Sequence, residues 1–355
     1  AQGIPYGFVS VTLVAFLSER GVQLEEVGSL VTFAMLPWTF KFIWGPIIDR
    51  YGAPSLGRRR PWIVFAQAMM ALTILTMVAV EDLTTSLAAV GWMVFVHNVF
   101  NSLQDVAVDA LAVDLLDDDE RGRANGFMWA SKFVGIAIGG AGMATVMAAL
   151  GLRPALVLQV VVLLGIMMLP LWLRERPGER LFPWSAGSVM TTDAEPTESQ
   201  TLTLLRNLRR AFSLRSPLVA AAFALVALLV PQLASTVLTV MCTQELGWTT
   251  EEVSQLIGGW AVALSVGGAL VGGMLADRFG ALRVIAVGVV LQGLSLLVFG
   301  LVDAHWSDPS VIYGFVLVAA AIGSMVQVGL FSLYMAVSWP VVAATQFTAY
   351  MTLLN

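Results

Sequence analysis

The sequence predicts an all-α membrane protein made of two parallel-repeat six-helix bundles, the second of them cut short. Three observations predict it: an apolar composition, an internal repeat and a one-sided distribution of arginine. Of 355 residues, 58% are hydrophobic and only 12% are Asp, Glu, Lys or Arg, whereas soluble domains carry roughly 25% charged residues. A water-soluble fold of this composition would expose a large apolar surface; a bilayer removes the problem by acting as the solvent of the outer face. The repeat is explicit. Pro5, Glu19, Gly21, Glu25, Glu26 and Val27 recur as Pro231, Glu245, Gly247, Glu251, Glu252 and Val253, and Asp49-Arg50-Tyr51-Gly52 recurs as Asp277-Arg278-Phe279-Gly280. Two halves that open with the same hairpin form a parallel membrane repeat. With the first helix running outward, all but Arg20, Arg153, Lys41 and Lys132 of the 19 basic residues fall on one side. The positive-inside rule places the 50–60 loop and the central linker in the cytoplasm.

Taken in order, apolar stretches long enough to span lie near 1–18, 28–49, 61–80, 87–114, 124–149 and 154–173, making a first bundle over residues 1–174. Residues 175–216 hold Pro177, Pro183, Pro196, acidic residues and several arginines without a spanning run, which reads as a cytoplasmic linker. Within it, Arg206-Asn207-Leu208-Arg209-Arg210 suits an amphipathic helix on the inner leaflet. The second bundle, 217–355, has spans near 217–242, 253–276, 282–302 and 311–338, and an eleventh begins near 341. Residue 1 already lies in an apolar stretch with no charged n-region before it, so no signal peptide is read and further chain is expected beyond both ends.

Several function classes find no support. A single cysteine, Cys242, offers no internal disulfide and no multi-cysteine metal site, and His97 and His305 are too far apart for zinc spacing. There is no GxxxxGK phosphate loop and no basic-aromatic patch for nucleic acid. No Ser-His or paired-acid constellation stands outside the fourth helix. No catalytic residue, cofactor or metal is expected.

The fourth helix carries His97, Asn98, Asn101, Gln104, Asp105 and Asp109. At ~100° per residue these fall within about 140° of arc, so one face is polar while the other can meet lipid. Charges inside hydrocarbon cost about 2.5–3.5 kcal/mol each on insertion scales and persist where they pair or line a wet cavity. At ~1.5 Å per residue, Lys41, Lys132 and Asp105 share one level in the cytoplasmic half, with Asp109 about a turn lower. One reading is a cluster that binds an anionic group and exchanges a proton; the other is an ion-pair network that holds the helices together. Both expect Lys132 hydrogen-bonded to Asp105 or Asp109, with Lys41 lining the same central cavity. Asp105 and Asp109 are four residues apart and repel when both are ionised; Asp105, the deeper, is the expected coupling acid. Gly135, Gly139, Gly140 and Gly142 suit close packing of the fifth helix.

The loop sequences carry a resemblance. Gly273-Met274-Leu275-Ala276-Asp277-Arg278-Phe279-Gly280-Ala281-Leu282-Arg283 resembles the signature of the major facilitator superfamily, and Gly45-Pro46-Ile47-Ile48-Asp49-Arg50-Tyr51-Gly52 with Gly57-Arg58-Arg59-Arg60 is its first-half counterpart. Phe40-Lys41, Trp44, Pro46, Pro61-Trp62, Gln104-Asp105, Asp109-Ala110, Glu120-Arg121-Gly122 and Ala344-Thr345-Gln346-Phe347 resemble the muropeptide permease (AmpG-like) branch and its acetyl-CoA transporter relatives. The resemblance implies a twelve-helix transporter of the bacterial cytoplasmic membrane, monomeric, taking a small-molecule substrate and protons. It implies proton-coupled symport of an anionic or amphiphilic solute such as anhydromuropeptides. The alternatives are an acetyl-CoA, organic anion or sugar carrier of the same superfamily, or a non-transporting sensor or scaffold. Asp49, Arg50, Arg58, Arg59, Arg60, Asp277, Arg278 and Arg283 are then expected to form a gating latch, a helix-end Asp pairing with a neighbouring helix's arginine in one state and releasing it in another.

Overall fold

A computed structural model describes residues 2–51, 55–80, 86–117, 119–182, 184–185, 238, 241–248, 252–253, 255–338 and 343–352. The expected span at 217–242 and linker residues 186–216 lie almost wholly outside them. In the first half, α1 runs through Gly3–Gly7, a π turn at Phe8–Thr12, and Leu13–Glu19. Helix α2 comprises Leu24–Thr39, a 3-10 turn Lys41–Ile43, and Trp44–Arg50. Helix α3 is Arg60–Val78 and α4 is Leu87–Leu115. Helix α5 runs Arg121–Ala137, a π turn Ile138–Gly142, and Met143–Leu150; α6 is Leu152–Trp172. In the second half, α7 is Gln255–Phe279, α8 Ala281–Leu301, α9 Pro309–Val337 and α10 Ala343–Thr352. The described residues form no strand.

Seven of these helices are long and apolar enough to cross a membrane. Helix α4, at 29 residues, reaches roughly 43 Å at ~1.5 Å per residue, beyond the ~30 Å of a hydrocarbon core. The outward faces suit lipid: Leu282, Val290, Leu297 and Leu301 of α8 are all more than half exposed. The repeat is visible in the backbone, where Gly21 and Gly247 both turn the chain at positive φ, 81° and 71°, a conformation open to glycine at no steric cost.

Two local features set the positions of the charged residues. Pro37 lies inside α2, and Pro46 has no N–H to give to the carbonyl of Phe42, so the α-helical ladder cannot run unbroken between them. The chain takes a 3-10 turn there, with Lys41 as its first residue. The second feature is glycine packing. A Cβ on Gly3, Gly7 or Gly139 would overlap the backbone of the facing helix, so α1 and α5 pack backbone to backbone. Thr12 Oγ1 donates to the carbonyls of Gly139 (2.9 Å) and Gly140 (2.7 Å), which the π turn in α5 leaves available. Gly142 has only its own helix within reach and does not belong to this contact, contrary to the sequence expectation.

The same device joins the two halves. Gly122 and Gly126 of α5 meet Ala269 and Gly273 of α7, a Cβ on Gly126 falling 2.8 Å from the Ala269 carbonyl. Around this crossing a buried apolar cluster combines Val113 of α4 with Ile285, Leu330, Phe331, Tyr334, Met335, Phe347 and Met351. Toward the opposite end, the cluster around Leu13, Phe16, Val27 and Leu163 stays within the first half, and that around Met241, Val253 and Ile312 within the second.

Candidate functional site

Helix α4 buries its whole polar face: His97, Asn98, Asn101, Ser102, Gln104, Asp105 and Asp109 are each at most 7% exposed. Helix α2 is fixed against it by Trp44 Nε1 donating to Ser102 Oγ (3.1 Å) and Asn98 Nδ2 donating to the Ala34 carbonyl (2.8 Å). That docking aims the 3-10 turn at α4, and Lys41 Nζ meets Asp105 Oδ2 at 3.1 Å with both side chains at most 5% exposed. A buried pair of this kind is weak evidence for stability, since desolvation offsets much of the attraction, but removing one partner leaves a costly lone charge.

Two expectations need correcting. Lys132 is not hydrogen-bonded to Asp105 or Asp109. Its ammonium lies 4.6 Å from the Trp129 ring centre and 5.5 Å from that of Trp38. Trp129 stands three residues before it on α5, the spacing at which side chains meet, and Lys41 already occupies Asp105. Nor does Lys41 line an open cavity: it is 1% exposed, held by its carboxylate with its ammonium 5.8 Å from the Trp38 ring centre.

Around the pair are polar groups without partners among the described residues. Asn101 is fully buried with neither amide atom bonded, and Gln104 Oε1 and Trp38 Nε1 are likewise unpartnered. Buried polar atoms are nearly always satisfied, so each needs an explanation. His97 stands apart, about 12 Å further along α4 from Asp105; its Nδ1 is 2.9 Å from Thr73 Oγ1 and its Nε2 is unpartnered.

The latch residues gather at the arginine-rich end. Arg59 is fully buried and bridges two carboxylates, Asp49 Oδ1 at 2.9 Å and Asp114 Oδ2 at 2.8 Å. Burial alone would lower its affinity for a proton, but the charges of Asp49 and Asp114 outweigh it and hold the guanidinium above its ordinary value. Arg58 stands 3.7 Å from Asp49. Asp49 Oδ2 also accepts from Thr345 N (2.9 Å) and Oγ1 (2.8 Å) across the halves. Arg60 points elsewhere, donating to the carbonyls of Pro170, Leu171, Arg180 and Leu181. In the second half, Asp277 accepts from Gly122 N (2.6 Å), Arg123 N (2.8 Å) and Arg123 Nε (2.9 Å), all in the first half. Arg50 and Arg278 lie over the rings of Tyr51 and Phe279, and Arg283 donates to the Phe279 carbonyl.

Sequence reasoning missed Asp114, Arg123 and Glu175. Asp114 extends the acidic series of α4, a signal that was present. Glu175, just after α6, accepts from the backbone N–H groups of Arg58 (2.8 Å), Arg59 (2.7 Å) and Arg60, serving as a borrowed cap for α3; nothing local announces it.

Residues 2–355 match the family model of the Major Facilitator Superfamily. Curated relatives include the anhydromuropeptide permease of Escherichia coli K12, 35% identical over 124 residues, covering 34% of this chain and 24% of the permease. An uncharacterised Haemophilus influenzae protein is 34% identical over 124 residues, covering 35% of this chain and 29% of its own length. A putative transporter, AmpG 4, of Rickettsia conorii is 29% identical over 146 residues, covering 40% and 34%. The match thus spans about a quarter to a third of these relatives' lengths. Among solved structures, the fucose:proton symporter of Escherichia coli superposes with TM-score 0.68 at 13% identity, covering 99% of this chain and 86% of that one. A bacterial homologue of the iron transporter ferroportin, in an outward-facing state, gives 0.65 at 15% identity, covering 99% and 87%.

Proposed function

This chain belongs to the major facilitator superfamily, and on that premise we propose that it is a secondary transporter of the bacterial inner membrane that moves an anionic solute together with a proton. The observation that carries the reading is the Lys41–Asp105 pair, two opposite charges at most 5% exposed in the span of a membrane helix. Such charges are expensive in lipid and mark ion or substrate paths. Asp109, one turn away on the same face, is buried with no hydrogen-bond donor among the described residues.

The chemistry follows from competition. While Lys41 holds Asp105, the two charges satisfy each other. An anionic solute that arrives beside the pair opposes the negative charge of Asp105, and Asp105 then accepts a proton. Solute and proton are thereby bound together, and each raises the affinity for the other. The related permease points to an anhydromuropeptide as the solute. The halves meet at the arginine-rich end, which fits a state closed to the cytoplasm.

The test is uptake of labelled anhydromuropeptide into vesicles with and without an imposed proton gradient. Asp105→Asn is expected to abolish uphill accumulation while exchange at equal concentrations survives. Gradient-dependent accumulation by Asp105→Asn would remove Asp105 from the coupling role and leave the pair a structural one.

A further inference from the structure

The two lysines of the first half sit in different chemical settings although they share a depth. Lys41 is buried and committed to a carboxylate at 3.1 Å. Lys132 is half-buried, with no acceptor among the described residues, and its ammonium rests against two indole faces. Trp38 is the neighbour they have in common, 5.8 Å from Lys41 Nζ and 5.5 Å from Lys132 Nζ at its ring centre. Its Nε1 is buried and has no acceptor among the described residues. Asn101, fully buried with both amide atoms unpartnered, lies one helical turn from Asp105 on the same face.

We propose that Lys132, Trp38 Nε1 and Asn101 form an oxyanion-binding site, distinct from the Lys41–Asp105 pair, that receives the carboxylate of a ring-bearing solute. This rests on the transport reading above and divides its labour: Lys132 meets the solute, Lys41 answers to the proton. All three groups can donate a hydrogen bond, and a carboxylate has about four lone-pair positions to accept them. Charge-assisted bonds to an ammonium are the strong kind, and an unpartnered amide and indole N–H both gain by the ligand's arrival. The indole faces of Trp38 and Trp129 supply flat apolar walls for the solute's ring. Trp129 also stands edge-on to Phe331 of the second half, ring centres 4.8 Å apart. A solute seated here therefore touches a residue at the seam between halves, so binding bears directly on the contact that must part during transport.

The committed ion pair nearby argues against the same role for Lys41. To bind the anion first, Lys41 would have to leave Asp105 while buried, exposing an unpaired charge in a dry place. Lys132 needs no such step, because no carboxylate among the described residues is hydrogen-bonded to its ammonium, which rests against ring faces.

The experiment is binding, read by tryptophan fluorescence of the purified chain in nanodiscs, with N-acetylmuramic acid and its methyl ester as probes. The acid is expected to bind at least tenfold more tightly than the ester. Lys132→Gln should bring the acid down to the ester's affinity while leaving the ester unchanged, and Trp38→Phe, which keeps the ring and removes the N–H, should weaken the acid alone. Equal affinity for acid and ester, or undiminished acid binding by Lys132→Gln, overturns the site. If neither sugar binds, benzoate against benzamide repeats the charge comparison: loss of benzoate binding in Lys132→Gln upholds the oxyanion site and sinks the muropeptide reading, whereas no binding of benzoate sinks the site itself.

Discussion

Asp49 and Asp277 occupy the same place in the two halves, yet they are held in opposite ways. Asp49 is anchored inside its own half. Arg59 bridges it to Asp114, and the Asp49 and Arg59 side chains are entirely buried; its bonds from Thr345 reach across to the second half. Among the described residues the donors to Asp277 all lie across the seam, at Gly122 N and at Arg123, whose side chain is about half exposed. One carboxylate is cemented into a block, and the other closes a seam at the edge of water. A repeated tetrapeptide therefore specifies where a carboxylate stands, while its non-repeated partners decide what it does.

The largest effect should come from breaking the block. Arg59→Met takes the bridging guanidinium from the buried carboxylates of Asp49 and Asp114, Arg58 remaining 3.7 Å from Asp49, and breaking a buried pair typically destabilises by about 3–5 kcal/mol. The purified variant should melt well below the wild type in detergent. A melting point unchanged by Arg59→Met would mean that the first-half motif is no more structural than the second, and the contrast would collapse.

Breaking the seam should move a population rather than a melting point. Asp277→Ala removes two backbone N–H bonds and one charge-assisted bond that exist only while the halves touch at this end. A shift of ~1.4 kcal/mol between closed and open states is about tenfold in their ratio. The readout is a cysteine at Ser332, which is 4% exposed under the latch, in a Cys242→Ser background. Maleimide labelling from the cytoplasmic side should quicken about tenfold in Asp277→Ala. Arg123→Ala should do far less, because exposed pairs contribute about 0–1 kcal/mol and both N–H bonds remain. Equal effects of the two variants would place the seam's strength in the exposed guanidinium, not in the end of α5.

What was legible in the sequence follows the range of the signal. The polar face of α4 is a periodicity, readable from His97 to Asp109, and the break that presents Lys41 is announced by Pro37 and Pro46. Glycines 135 and 139 show as a stripe at helical spacing. Lys132 was misassigned because residue rise gives depth but not direction: it shares a level with Asp105, yet its own Trp129 and the facing Trp38 take it. Arg123 and Glu175 were unreadable for a different reason. Their partners lie 154 residues away at Asp277 and 115–117 residues away at Arg58–Arg60, and no local pattern encodes a contact between a loop and a distant helix end. The role of Asp114 was within reach, since it continues the acidic series of its helix.

The smallest effect is a control on the whole contrast. Asp308 is another helix-end carboxylate of the second half, but it is exposed and serves only its own helix. It caps α9 by accepting from Ser310 N at 2.9 Å, ahead of Pro309 at the first helical position. The bonds from Ser310 hold its carboxyl below the ordinary Asp value. A depressed value in the folded state means that the stabilisation is fully present above the unfolded carboxylate range, ~3.9, and is lost as pH falls through the folded value. Asp308→Ala should therefore melt slightly below wild type at neutral pH, and the gap should narrow as pH is taken below about 4. Asp308→Asn, which keeps an acceptor oxygen without the charge, should melt closer to wild type at neutral pH, and its gap should also change as pH falls, because it is the wild-type carboxylate that titrates. Neither variant should alter labelling of the Ser332 cysteine, because the bond Asp308 accepts comes from its own helix end. If Asp308→Ala quickens that labelling as Asp277→Ala does, then any charge lost from a second-half helix end opens the molecule, and Asp277 has no special claim to the seam.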